Sequence, residues 1–198
     1  EEENQKRRPH NTQKTMPRGG TKKPTVVVLH GTAGNAEIVK FQVAALARKL
    51  TSEFDVVYVD APKVCDESNR HAAMMRRVFG AKQILREFAV ATEVDGWRTY
   101  DDLERRLQEA EEVVARHEPV SALIAFSQGA NFATMLVARA EQRGATLPSV
   151  LMCGARPGWA RQLPELFTEK KLRSPAFLVA AENDPVVDDG PAEMAKLF

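Results

Sequence analysis

The run Ser121-Ala122-Leu123-Ile124-Ala125-Phe126-Ser127-Gln128-Gly129 carries an apolar stretch straight into a serine, and a long apolar segment follows at once. A strand that turns sharply into a helix at a serine lifts the hydroxyl clear of the backbone. Such a hydroxyl can attack an acyl carbon, and the Gln128 N–H, the first of the helix, can hold the oxyanion that develops. The turn brings two backbones close together, so small residues are wanted two positions before and after the serine. Ala125 and Gly129 stand there, although the usual pattern has glycine at both places.

A second chemical group is His30-Gly31-Thr32-Ala33-Gly34-Asn35, directly after the apolar run Thr25–Leu29. A phosphate cradle is one reading, but no Lys-Ser/Thr pair follows the glycines and the dinucleotide fingerprint spacing is absent. The better reading is an oxyanion loop. Gly31 lets the chain turn tightly, so that the Thr32 N–H aims at the point served by the Gln128 N–H. His30 is then expected to be structural.

The third group is Ala181-Glu182-Asn183-Asp184-Pro185, after the apolar run Ala176–Ala180. Asp184 is the acid expected to accept the Nδ1–H of a catalytic histidine and hold its tautomer; Glu182, Asp188 and Asp189 compete for that role. The order serine, then acid, leaves the histidine to come last. Yet His10, His30, His71 and His117 all precede Ser127. His71 lies in an irregular stretch that can reach a cleft, and His117 ends a helix.

The elements that must position these groups follow an α/β rhythm. Strands are expected at Thr25–His30, Asp55–Asp60, Ser121–Phe126, Val150–Cys153 and Ala176–Ala180. The first is a continuous β-branched run, as in a central strand buried on both faces. Helical spacing marks Ala36–Leu50, a patch from Met74 to Val90, Leu103 to Val114, and an apolar helix from Gln128 to Arg143. Strands alternating with helices imply a parallel sheet, with the site at the carboxyl ends of its strands. The walls of the cleft are expected from residues 61–98 and from Trp159 to Leu172, with Arg76, Arg77, Phe79, Phe88 and Trp97 as candidate lining.

Residues 1–23 are polar and carry Lys6, Arg7, Arg8, Lys14, Arg18, Lys22 and Lys23; they read as a disordered basic tail. Residues 24–198 read as one domain. The 198 residues, 43% of them hydrophobic, allow a sizeable core, and a net charge of +1 does not point to nucleic acid as the partner. No apolar run is long enough to span a membrane. No metal cluster or cofactor signature is visible. Cys65 and Cys153 are read as a free and a buried thiol rather than a disulfide, which suits a reducing, cytoplasmic or nuclear location. The stretch Pro191–Phe198 reads as the opening of a helix that is cut off, so a fragment is expected.

Four stretches, in order, resemble the FSH-type serine hydrolases of the α/β-hydrolase superfamily. They are Leu29-His30-Gly31 with Asn35, Phe126-Ser127-Gln128-Gly129, Gly154-Ala155-Arg156-Pro157, and Glu182-Asn183-Asp184 with Val186-Val187. The likeness runs from about Pro24 to Phe198. It implies an α/β-hydrolase fold with helices on both faces of a mostly parallel sheet, lacking the last helix and strand. It also implies Ser127 as nucleophile, Asp184 as triad acid and Thr32 and Gln128 as oxyanion donors, supported by His30, Gly31 and Gly129, with the histidine beyond residue 198. The activity expected is hydrolysis of a small-molecule carboxylic ester, nearly absent in this chain as it stands. The alternatives are a thioesterase of the acyl-protein type and a catalytically dead α/β-hydrolase that serves as a binding module.

Overall fold

In the computed structural model, which describes residues 23–167, 171–181 and 189–198, nine strands and six α-helices are defined. Of the basic segment 1–23, only Lys23 is described; its Nζ donates to the Thr51 carbonyl at 2.7 Å.

Five strands form the central sheet in the order β2-β1-β7-β8-β9, all parallel. They are β1 (Thr25–Leu29), β2 (Asp55–Val59), β7 (Val120–Phe126), β8 (Ser149–Met152) and β9 (Ala176–Val179). All of β1 is buried, which is why every position in that run is apolar or β-branched. Its residues divide by parity. Val26 and Val28, with Ile124 of β7, face Val39 of α1 (Ala36–Gln42), Ala47 of α2 (Ala44–Leu50) and Val43 between them. Val27 and Leu29, with Leu123, Ala125 and Leu151, face α4 (Leu103–Ala115), α5 (Gln128–Gln142) and Trp159. The sheet is therefore covered on both faces, the larger core lying under α5, whose residues Gln128–Ala138 are all buried.

Two helical segments differ from their expected form. Ala36–Leu50 is not one helix: it breaks at Val43 (φ −101°, ψ 11°), which ends α1 and starts α2. The patch from Met74 to Val90 is helical only in α3 (Arg70–Phe79), which begins four residues earlier and ends at Gly80. Beyond it the chain turns extended. β4 (Arg86–Glu87) pairs antiparallel with β3 (Lys63–Val64), and β5 (Ala91–Val94) forms a hairpin with β6 (Trp97–Tyr100). Apolar spacing misled here because Leu85, Phe88 and Ala89 are buried by tertiary contacts rather than along one helical stripe.

Neither cysteine forms a disulfide among the described residues, and Cys153 is less buried than expected. Cys65 is buried, with its thiol pushed up to about 12 by burial and by Glu87, and Cys153 is half-buried. Within the expected wall from Trp159 to Leu172, the described residues Trp159, Leu163, Leu166 and Leu172 are buried in the core rather than lining the cleft; residues 168–170 lie outside the described residues. After it, α6 (Gly190–Ala195) places Met194 in the same core. No helix among the described residues is long and apolar enough to cross a membrane.

Candidate active site

Ser127 sits between the last residue of β7 and the first of α5 with φ 53° and ψ −119°. A serine seldom adopts a positive φ, and backbone strain of this kind concentrates at functional sites. Two contacts over-determine it. The Ser127 N–H donates to the Met152 carbonyl at 2.8 Å, and the Ser127 carbonyl accepts from the Ala130 N–H at 2.9 Å. As the first residue of α5, Gln128 has an amide with no acceptor within the helix.

Glycines let the loop after β1 close on this turn. A Cβ on Gly31 would lie 2.9 Å from the Ser127 Cβ, and one on Gly129 would lie 2.6 Å from the His30 carbonyl oxygen and 2.7 Å from that of Leu29. The end of β1 and the first turn of α5 are thus in backbone contact. Gly31, Thr32, Ser127 and Gln128 come together on one cleft of about 480 Å³. Gly129 lies beneath it.

His30 is fully buried behind that loop. Its Nε2 accepts from the Ala61 N–H at 2.9 Å, which fixes the proton on Nδ1, and Nδ1–H donates to the Gly31 carbonyl at 2.7 Å. Both ring nitrogens are therefore engaged in tying β1 to the start of the next loop. Burial lowers the imidazole to about 4, against smaller opposing effects of the Gly31 hydrogen bond and Asp60, so the ring is neutral at pH 7. Asn35 closes the same loop: its Oδ1 accepts from the Ile38 N–H at 2.9 Å and caps α1.

Asp184, like Glu182 and Asp188, lies outside the described residues. Asp189 is described, and its carboxylate pairs with Arg156 at 3.1 Å. His117 is at the end of α4 and does not line the cleft, whereas His71, in the first turn of α3, does. Burial, followed by Arg70 and Arg98, holds the His71 imidazole below its ordinary range.

Sequence reasoning missed three parts of the surroundings. The Gln128 side chain is buried and clamps the segment before β5: Oε1 accepts from the Phe88 N–H at 2.7 Å, and Nε2 donates to the Ala89 carbonyl at 2.8 Å. One turn on, Asn131 Nδ2 donates to the Tyr100 hydroxyl at 2.7 Å and Oδ1 accepts from the Ala155 N–H at 3.0 Å. Burial pushes the Tyr100 phenol up to about 12. A polar residue at the fourth place of an otherwise apolar helix was the available signal. Cys153, with φ 53°, also faces the cleft at the end of β8.

The outer wall also differs from expectation. Arg70, Met74, Met75, Arg98 and Tyr100 line the cleft. Phe88 is core, stacked 5.0 Å from Phe132, and Trp97 lies beneath the guanidinium groups of Arg156 and Arg161. Among the described residues no cluster of His, Cys, Asp or Glu could hold a metal ion.

No curated protein matches the chain. Among solved structures, a variant of Arabidopsis thaliana SOBER1 superposes with a TM-score of 0.59 at 15% identity, covering 88% of this chain and 82% of that one. A Bacillus cereus carboxylesterase gives 0.58 at 24% identity, over 88% and 71% of the two chains. A Pyrobaculum calidifontis esterase gives 0.53 at 19%, over 91% and 65%. At these identities the likeness establishes the fold, which is that of the α/β-hydrolases. The family profile described as serine hydrolase (FSH1) matches residues 20–198; with that span matched, this chain belongs to the FSH1 serine hydrolase family.

Proposed function

We propose that the protein hydrolyses carboxylic esters with Ser127 as nucleophile. Ser127 Oγ adds to the ester carbonyl, and the oxyanion is taken up by the amides of Thr32 and Gln128. Collapse expels the alcohol and leaves an acyl-serine, which water cleaves to the acid and free enzyme. The positive end of the α5 dipole favours the negative charge at that point, and each oxyanion donor is worth about 3 kcal/mol. Asp184 is assigned as the acid that orients the histidine. The observation that carries this reading is Ser127 held at φ 53° beside Gly31, on a cleft of about 480 Å³.

A Ser-His-Asp triad also needs an imidazole. His30 is not available, because both its nitrogens are engaged. His71 shares the cleft but carries Arg70 Nε at 3.4 Å from its Nε2. Loss of a triad histidine lowers turnover by about a million-fold in comparable enzymes, so near-inactivity is expected from these 198 residues. Added imidazole should raise turnover.

The test is hydrolysis of p-nitrophenyl esters by the chain and by Ser127→Ala, each with and without imidazole. Imidazole-dependent turnover that vanishes in Ser127→Ala supports the reading. Turnover that survives in Ser127→Ala overturns the nucleophile assignment. The second reading is a binding module on a hydrolase fold; a chain that releases no Ser127-dependent product at any imidazole concentration counts against the esterase reading and leaves this one standing. Comparison of an acyl-CoA with the matching oxygen ester separates a thioesterase from an esterase.

A further inference from the structure

From Arg70 to Leu85 the chain carries Arg70, Arg76, Arg77 and Lys82 and no Asp or Glu. Elsewhere many cations are matched, among them Arg139 and Arg143 with Glu104 and Glu111, Arg98 with Glu93, and Lys63 with Glu87. Among the described residues, no carboxylate pairs with the four cations of the α3 segment.

The same segment leaves large apolar side chains in water. Met74 is 56% exposed, Val78 67% and Ile84 64%, and Phe41 of α1, edge-on to Phe79 at 6.0 Å, is 73% exposed. Met74 and Val78 are one turn apart, and Arg70 and Arg77 fall on the same side of the helix. Ala72, and in part Met75 and Phe79, face inward onto Ile38 and Leu85. The helix therefore has a small packed side and a solvent side that is both apolar and cationic. Polar surface helices place charge, not methionine and valine, toward water.

We propose that this face of α3, with Phe41 and Ile84, docks on an anionic lipid surface. Protruding apolar side chains enter the headgroup region while flanking arginines and lysines meet the phosphates. An acidic protein would satisfy the charge, but bulky side chains projecting from a convex helix fit a deformable surface better than a shaped partner. Arg70 and Met74 also line the cleft that holds Ser127, so docking sets the mouth of the cleft against the interface. This goes beyond the ester-hydrolase reading, and surface binding does not require it.

The experiment is co-sedimentation of the chain with vesicles of phosphatidylcholine alone and of phosphatidylcholine mixed with phosphatidylglycerol. The basic segment 1–23 is present in every variant, so differences between variants report α3. Binding is expected to the mixed vesicles only and to weaken with salt. Arg70→Glu/Arg77→Glu should lower it about 30-fold or more, at about fivefold per cation removed. Met74→Ser/Val78→Ser should lower it about tenfold. Ser127→Ala should bind as the parent does, which keeps this outcome separate from that of the proposed chemistry. Equal binding by all variants, or equal binding to neutral vesicles, overturns the proposal. So does binding to polyglutamate in preference to vesicles, or self-association that Val78→Ser abolishes in a chain that ignores vesicles.

Discussion

On one side of the cleft, the ends of β1 and β7 and the first turn of α5 are locked by backbone contact: Gly31 against Ser127, Gly129 against the Leu29 and His30 carbonyls, and His30 bonded at both ring nitrogens. On the other side, α3 rests on the small cluster of Ala33, Ile38, Cys65, Ala72 and Leu85 and turns Met74 and Val78 outward. The first side is close-packed and presents Ser127 to the cleft. The second presents long side chains with freedom to adapt. Reacting groups need fixed geometry, whereas a surface that meets varied substrates or a lipid interface does not. Under the proposed chemistry, the difference would leave the nucleophile to main chain and small residues, and selectivity to the helix opposite.

The sharpest way to break this contrast is Gly129→Ala. The added methyl would meet two backbone carbonyls that cannot swing away, a clash worth about 3 kcal/mol. The melting temperature should fall by roughly 6–12 °C, and imidazole-supported ester turnover should fall with it as the Gln128 amide shifts. A variant that melts as the parent does would show the elbow to be looser than the contacts imply.

A comparable effect comes from acid. The unfolded His30 imidazole protonates at its ordinary 6.5, but in the fold it stays neutral down to about 4. Below pH 6.5 the unfolded chain then binds a proton that the native chain refuses. Stability is fully present above that pH, falls as pH drops, and by pH 4 has lost ~3 kcal/mol from this group. Thermal melts between pH 7 and 4 should show the slope, and His30→Asn should flatten it while lowering stability at neutral pH. A parent slope that His30→Asn leaves intact would remove His30 from the account.

The smallest effect is expected across the cleft. Met74→Ser/Val78→Ser removes exposed side chains, so folding stability should change by no more than about 0.5 kcal/mol in denaturant titrations. A loss of several kcal/mol would mean that this face packs against something in the folded chain.

These two sides also differ in how far the sequence reveals them. The elbow was legible because its signals are local: an unbroken apolar strand, a serine, a glycine, and an apolar helix too uniform to be a surface element. The loop Gly31–Asn35 was legible for the same reason. The wall was not. Phe88 and Trp159 look like pocket residues in a list of aromatics, yet tertiary packing sends both into the core. The extent of α3 was obscured because the buried Leu85 and Phe88 continue an apolar spacing past Gly80, where the helix has already ended. The clamp from the Gln128 side chain to Phe88 and Ala89 joins residues some forty positions apart, and no local pattern reports such a bond.

The most direct test of the central claim is where an acyl-like electrophile lands. A fluorophosphonate incubated with the chain in the presence of imidazole, followed by peptide mass spectrometry, is expected to give one adduct, on the peptide that contains Ser127, and none in Ser127→Ala. Modification spread over other serines, or an unmodified Ser127 under those conditions, would contradict it.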